Sequence, residues 1–154
     1  MGGSTNRKDY DQSTSQHKLL SERPTMELTL TDETASGDIL HKISIQIANE
    51  RTTVRELIRA RVETEVEKHN AELPDYFQGL IMPELAEPSG KGYRMKKRKV
   101  IDVEGQVYIA LEAFQKNGFF LLVDDSQCTE LDQELLLAEE TTVSFIKLTP
   151  LVGG

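Results

Sequence analysis

Two segments near the start of the chain alternate apolar with polar residues, the pattern of a half-buried strand. In MELTLT the apolar residues fall at every second position over 26–30, and in HKISIQIA they do so over 43–47. The turn-forming run DETASGD, which contains a glycine, separates the two segments. The pattern therefore predicts an antiparallel hairpin.

The period then changes to that of a helix. Thr53 and Glu56 match the T-x-x-E capping box. In this motif each of the two side chains accepts a hydrogen bond from a backbone N–H that has no partner within the helix. Apolar residues follow at helical spacing: Val54, Leu57, Ile58, Val62 and Val66. We predict a helix from about Thr53 to His69, and Pro74 prevents it from running much further.

Residues 73–105 lack a regular pattern and are interpreted as an insertion, with several prolines and the turn sequence PSGKG. The insertion contains RMKKRK, Arg94 to Lys99, a dense basic run in an acidic chain. This run is interpreted as a solvated loop or strand edge; the alternatives are a docking patch for an acidic partner or a nuclear signal in a eukaryotic host. A second helix is predicted from Gln106 to Lys116, with a left-handed stop at Asn117-Gly118.

The last part of the chain predicts two buried strands. FFLLV, residues 119–123, is ended by DDSQ, and TELDQELL is predicted as a turn or a single helical turn. TTVSFIKL, residues 141–148, is typical of a central strand, which we expect to lie beside the first strand. The expected core comprises Leu28, Leu30, Ile43, Ile45, Leu57, Ile58, Val62, Leu121, Val143 and Phe145.

The element order predicts one α+β domain over residues 25–148. Residues 1–24 are rich in polar residues and have few apolar ones, so we expect a disordered arm. Residues 149–154, TPLVGG, are expected to form a flexible tail, because Pro150 cannot extend a strand ladder and Gly153 and Gly154 contribute nothing to a core.

Composition excludes several classes of function. A net charge of −8 is unsuited to general nucleic-acid binding, because neutralising phosphates provides most of that affinity. The single cysteine and three widely separated histidines argue against a disulfide framework and a metal site. No apolar run is long enough to span a membrane, and no charged-then-apolar leader opens the sequence, so we expect a cytoplasmic location.

The segment EETTVSFIKLTPLVGG resembles the ends of β-grasp carriers of the ubiquitin and sulfur-carrier superfamily, which have an acidic turn, a strand, a short tail and Gly-Gly. Its proline before a small apolar residue and the diglycine is most similar to the small subunit of molybdopterin synthase. The hairpin and capped helix resemble the ubiquitin core, and LDQEL is placed like the turn before its last strand. The resemblance covers residues 25–69 and 119–154 and implies a β-grasp mixed sheet with one main helix packed across it.

The resemblance further implies a ubiquitin-like modifier, a substrate of enzymes and not an enzyme itself. The Gly154 carboxylate would be adenylated by an activating enzyme that uses ATP, transferred to a conjugating enzyme and joined to a target protein, with no cofactor bound permanently. Gly153 would let the activating enzyme approach the backbone closely. This enzyme would recognise Pro150, Leu151 and Val152 in a narrow channel that receives the tail. A metal-dependent deconjugase is a further expected partner, and some bacterial ubiquitin-like operons of this kind are linked to antiviral defence.

Two other functions stay open at this stage. One is a sulfur carrier with a thiocarboxylate on Gly154 for cofactor synthesis, and the other is a non-conjugated β-grasp binding module. Lys147 is expected to face outward and to form part of a docking surface. We interpret Asp124 and Asp125 as turn residues and Cys128, on a predicted loop, as an incidental thiol, so no catalytic residues are assigned.

Overall fold

The computed structural model describes residues 25–148 of the chain. These residues form an α+β fold with a mixed sheet and two helices. The helices are α1 (Val54–Glu72) and α2 (Val103–Gln115). The strands, in chain order, are β1 (Met26–Thr34), β2 (Ile39–Ile47), β3 (Arg51–Thr53), β4 (Tyr76–Phe77), β5 (Ala86–Ser89), β6 (Gly92–Met95), β7 (Phe119–Val123), β8 (Ser126–Cys128), β9 (Glu134–Leu136) and β10 (Val143–Lys147).

Five strands form the main sheet, in the order β2-β1-β10-β7-β8. The predicted hairpin is present as the antiparallel pair β1–β2, and β7 and β8 form a second hairpin. Strand β10 lies between β1 and β7, parallel to the first and antiparallel to the second. The last strand therefore lies beside the first in the middle of the sheet, as predicted.

Helix α1 begins where the capping box predicts. The Thr53 hydroxyl accepts a hydrogen bond from the backbone N–H of Glu56 at 3.2 Å, which satisfies one of the free donors at the helix start. The five apolar residues predicted to line its inner face are all buried. The helix ends at Glu72, beyond the predicted His69, where Leu73 adopts a left-handed conformation (φ 47°) just before Pro74.

Helix α2 starts earlier than predicted because Asp102 caps it. The Asp102 carboxylate accepts a hydrogen bond from the Gly105 N–H at 3.1 Å. At its other end Asn117 is left-handed (φ 59°), and the Gly118 N–H donates to the Ala113 carbonyl at 2.7 Å. The predicted stop is confirmed, with Asn117 as the left-handed residue.

The segment predicted as an insertion contains a small three-stranded sheet, in the order β4-β6-β5. Phe77 and Leu80 from this segment are buried in the main core, which fastens the small sheet to the rest of the protein. Gly92 has a φ of +108°, and a Cβ there would lie 2.7 Å from the Phe77 carbonyl oxygen. Only glycine fits this turn, because a side chain would meet both strain and a backbone clash.

One expectation for residues 124–136 is wrong, and a second is confirmed only in part. Cys128 lies in strand β8 and is buried, not on a loop. TELDQELL contains the expected turn at residues 131–132, but its last three residues form strand β9, which pairs antiparallel with β3. Each of these strands has three residues, too few for an alternating pattern, and each depends on a partner strand to form.

The predicted core is confirmed at nine of its ten positions. Ile43 is the exception: it is half-buried and packs against the core from outside it. Ile43 belongs to β2, the end strand of the main sheet, which is covered from fewer directions than the central strands. The nine buried residues are Leu28, Leu30, Ile45, Leu57, Ile58, Val62, Leu121, Val143 and Phe145.

Candidate functional site at the end of the central strand

The tail residues singled out in the sequence, Pro150, Leu151, Val152, Gly153 and Gly154, lie outside the described residues. The structure does describe the strand that leads into them. Residues 143–147 of β10 pair on one side with 30–34 of β1 and on the other with 119–123 of β7. A strand with ladder partners on both sides is held more firmly than an edge strand, so the chain leaves the sheet from a well-anchored position.

The expectation that Lys147 faces outward is wrong. Lys147 lies on the same side of β10 as the buried residues Val143 and Phe145, because side chains alternate along a strand. Its Nζ lies 3.5 Å from Asp32 Oδ2 and donates to the Gly79 carbonyl oxygen at 3.3 Å. Lys147 therefore joins the end of the central strand to β1 and to the segment after β4.

Asp32 and Lys147 belong to a buried charged network centred on Arg61 of α1. The side chain of Arg61 is fully buried. Its Nη2 donates to Asp32 Oδ2 at 2.7 Å and its Nε donates to Glu65 Oε1 at 2.9 Å. The guanidinium carbon also lies 4.4 Å from the centre of the Phe145 ring, within range of a cation–π interaction.

The two carboxylates of this network have pKa values shifted in opposite directions. Burial alone raises the pKa of Asp32, but the hydrogen bonds and positive charge of Arg61 outweigh it and hold this pKa below its ordinary range. Burial also raises the pKa of Glu65, and there it outweighs the attraction of Arg61. The network thus places two carboxylates and two cations at the end of the sheet from which the tail departs.

The sequence analysis did not identify Arg61 and Glu65 as site residues, although their positions in the helical pattern indicate that both are buried. Arg61 follows Ile58 by three residues and Glu65 follows Val62 by three, so both fall on the apolar face of the helix. A charged residue at a core-facing position implies a buried partner of opposite charge. That partner, Asp32, is a non-local one and lies in β1, so only the tertiary structure identifies it.

The opposite face of β10 presents Ser144 and Ile146, both half-buried. In the sheet register Ile146 is opposite Phe120 of β7, and Ser144 is opposite Leu122. These four side chains point away from the buried face that carries Val143, because they fall at the alternate positions of their strands. The outer face of the sheet is therefore partly apolar close to the point where the tail departs.

The basic run Arg94–Lys99 begins in the last two residues of β6 and continues beyond the end of that strand. Arg94 forms an ion pair with Glu87 at 2.7 Å, and Arg98 forms one with Asp75 at 3.0 Å. The four basic side chains Lys96, Lys97, Arg98 and Lys99 are exposed in succession. The part of the run after β6 fits the solvated loop, and the two ion pairs neutralise part of its charge.

Asp124 and Asp125 form the turn between β7 and β8, both with left-handed backbone conformations (φ 48° and 67°). The Asp124 carboxylate accepts a hydrogen bond from the Thr142 N–H at 3.0 Å, which fits the turn role predicted for it. Burial raises the pKa of Cys128, so its thiol is protonated at neutral pH.

Within residues 25–148 no three His, Cys, Asp or Glu side chains are grouped closely enough to hold a metal ion. Neither helix of this part of the chain is both long and apolar enough to cross a membrane. Comparison with family models, with curated proteins and with solved structures gave no significant match.

Proposed function

We propose that this chain is a ubiquitin-like modifier whose reactive group is the carboxylate of Gly154. The observation that carries the proposal is the position of β10: the last strand lies in the centre of the main sheet, parallel to β1, and ends at Lys147. A tail starting from such a strand is tethered to a rigid surface, which an enzyme can bind while it acts on the tail.

The proposal includes a β-grasp fold. Three features support it: the β1–β2 hairpin, helix α1 directly after it, and a final strand that returns to the centre of the sheet beside β1. The small sheet and α2 would be additions to this core.

The proposed chemistry has four steps. The Gly154 carboxylate attacks the α-phosphate of ATP and displaces pyrophosphate, giving an acyl adenylate. A cysteine thiolate of the activating enzyme then displaces AMP and forms a thioester. A conjugating enzyme takes over the acyl group by thioester exchange, and a nucleophile on the target finally displaces the enzyme thiolate. A deconjugase would hydrolyse the bond between Gly154 and the target nucleophile.

In this scheme the activating enzyme binds two parts of the protein. It contacts the outer sheet face around Ile146 and Phe120, and it receives the tail in a narrow channel. Gly153 allows the channel walls to approach the backbone of the tail closely. The side chains of Leu151 and Val152 determine how far the tail enters the channel. Lys147 supports the end of β10 from the inside, through Asp32 and Gly79.

Replacing Gly153 with valine tests the proposal. The purified protein is incubated with ATP and an extract of the cell that encodes it, and a thiol-sensitive adduct of higher mass is sought on a non-reducing gel. We expect the wild type to form the adduct only with ATP, and the G153V variant to lose at least about 90% of it, equivalent to a barrier increase of about 1.4 kcal/mol.

A matched control is the same substitution at Gly90. A Cβ at Gly90 would meet no atom within 4 Å, so G90V adds the same side chain in open space. G90V should form the adduct like the wild type. If G153V also does so, Gly153 is not read by an activating enzyme and the proposal is wrong.

The sulfur carrier is the second candidate, because it shares the adenylation step. Intact-mass measurement distinguishes the two: a change from oxygen to sulfur on the free protein supports the carrier, and a covalent adduct on another protein supports the modifier. Full function after deletion of Gly153 and Gly154 would favour a non-conjugated binding module.

A further inference from the structure

Acidic residues are concentrated between β7 and β10. Residues 124–140 contain seven aspartates and glutamates and no lysine or arginine, and all seven acidic side chains are exposed. Within the described residues only Asp132 of these seven forms an ion pair, with Arg55 at 3.2 Å. The Arg55 N–H also donates to the Leu131 carbonyl at 2.8 Å, which fixes the segment beside the first turn of α1. We call residues 124–140 the acidic surface.

Basic residues are concentrated after β6. Residues 96–100 are four consecutive lysines and arginines followed by Val100, and all five side chains are exposed. Within the described residues only Arg98 of the four cations forms an ion pair, with an aspartate at 3.0 Å. The Asn70 side chain fixes the segment beside the last turn of α1: its Nδ2 donates to the Ile101 carbonyl at 2.9 Å, and its Oδ1 accepts from the Ile101 N–H at 2.8 Å. We call residues 96–100 the basic surface.

Helix α1 keeps the two surfaces apart. The acidic surface is fixed at its first turn and the basic surface at its last, and a helix of 19 residues is roughly 28 Å long. Exposed charges are largely screened beyond about 8 Å at physiological ionic strength. The two surfaces of one molecule therefore cannot neutralise each other, and each can bind a surface of opposite charge on another molecule.

Neither surface is neutralised by its own surroundings. The segment 74–100, which includes the basic surface, contains six basic residues and three acidic ones. At the other end of α1, Arg51 of β3 and Arg55 are the cations of the elements that contact the acidic surface, against its seven carboxylates. The net charge of −8 makes copies of the chain repel one another in most orientations, but a head-to-tail orientation brings the two opposite charges together.

Each surface also exposes an apolar side chain close to its charges. Val100 is 64% exposed, and Leu85, which is 47% exposed, lies nearby because its carbonyl accepts from the Lys96 N–H at 2.9 Å. On the acidic surface Leu136 is 68% exposed and lies on the same side of β9 as Glu134. Protein interfaces combine an apolar centre with a polar rim, and both surfaces provide these two parts.

We propose that copies of this chain bind one another head to tail, with the basic surface of one copy on the acidic surface of the next. Lysines of the first face carboxylates of the second, and Val100 packs against Leu136. The contact joins two different patches, so every bound pair leaves one basic and one acidic surface free. Association therefore continues beyond the dimer, as an open chain or a closed ring. It is non-covalent and needs neither ATP nor Gly154, so it is retained when the terminal glycines are deleted.

Sedimentation velocity of the purified full chain tests the proposal. At an ionic strength of about 0.05 M, the weight-average mass should rise with protein concentration from the 17.4 kDa of the monomer to more than twice that value. At about 0.5 M it should return to the monomer mass, because salt screens exposed charges.

Neutral substitutions separate the two surfaces. K97Q/K99Q changes the basic surface and E139Q/E140Q the acidic surface, and all four side chains are exposed, so both variants should fold. Each variant alone should associate at least about tenfold more weakly than the wild type. Each also keeps the surface that the other lacks, so an equimolar mixture should form a one-to-one dimer and nothing larger.

The control variant K42Q/K116Q removes two exposed lysines that lie outside both surfaces, and it should associate like the wild type. A wild type that stays monomeric at about 500 μM and low salt overturns the proposal, as do surface variants that associate as strongly as the wild type. Association that stops at the dimer would contradict the head-to-tail arrangement and indicate a contact between the same patch on both copies. Loss of association on deletion of residues 1–24 would assign the contact to that segment instead.

Discussion

At the scale of single residues, Arg59 and Arg61 show how position determines the energetic role of a charge. Both lie on α1 and both contact carboxylates. Arg59 bonds Glu63 and Glu104 at the surface, where water competes for every charge. Arg61 is completely buried with Asp32 and Glu65, where removing one partner leaves the others without compensation.

Replacing each arginine by methionine compares the two sites directly. R61M should lower the free energy of unfolding by about 3–5 kcal/mol, because it leaves the buried Glu65 without its cation and Asp32 with Lys147 alone. R59M should lower it by about 1 kcal/mol or less, because its partners are readily solvated. Urea unfolding followed by circular dichroism measures both values, and equal losses would contradict a stabilising role specific to the buried network.

His69 links stability to pH. Its pKa is lowered in the folded protein, so the unfolded chain binds a proton more readily than the folded one. The stability due to a neutral His69 is therefore complete above the ordinary pKa of about 6.5 and is lost progressively as the pH falls below it. The raised pKa of Glu65 acts in the opposite sense, since it lowers stability as the pH rises.

The variant H69F separates the two contributions. Urea unfolding of the wild type and of H69F is compared between pH 5 and pH 8, and the Glu65 contribution cancels in the difference. The stability of the wild type relative to H69F should decrease below about pH 6.5. A difference independent of pH would show that His69 has an ordinary pKa in the folded protein.

At the scale of elements, β10 shows the consequence of strand alternation. Phe145 is fully buried between the two neighbouring strands and α1, and its ring lies 5.7 Å from that of Phe119. Ile146, the next residue, points to the outer face and is half-buried. Adjacent apolar residues therefore make very different contributions to folding.

Alanine substitution at these two positions tests this assignment. F145A should lower the free energy of unfolding by about 3–5 kcal/mol, through lost burial and the cavity that is left. I146A should lower it by about 1 kcal/mol or less, because its side chain is half exposed in the native state. Thermal and urea unfolding measure both, and a larger loss for I146A would place the wrong face of β10 in the core.

At the scale of the whole molecule, the main sheet and both helices share one hydrophobic core, to which the small sheet attaches through Phe77 and Leu80. Strands β1 and β10 each have ladder partners on both sides, and three of their residues, Leu28, Leu30 and Phe145, have no exposed surface. Strand β5 ends the small sheet and carries half-buried or exposed side chains only. Local stability should therefore differ between the two sheets.

Native-state hydrogen exchange measures this difference. The ladder amides of β1 and β10 should exchange slowest, with an opening free energy close to that of global unfolding. Those of β5 and β6 should exchange faster, by opening of the small sheet alone. Equal protection in both sheets would mean that the small sheet unfolds only together with the core.

The sequence by itself determined the elements whose signals are local. The alternation in 26–30 and 43–47 predicted β1 and β2, and the Thr53 capping box with its apolar stripe predicted α1. Such patterns suffice because side-chain direction repeats with a fixed period within an element. The short run of apolar residues in 119–123 likewise predicted β7, and nine of the ten expected core residues are buried.

Only the tertiary structure decided the features that depend on partners distant in sequence. Lys147 follows the alternation of its strand into the protein, against the expectation from its charge, because Asp32 and Gly79 are there to receive it. Arg61 is buried because Asp32 of β1 meets it across the core. Strands β8 and β9 exist because β7 and β3 provide their ladders. In each case the stabilising contact is absent from the local sequence, since it forms only when the chain brings separate elements together.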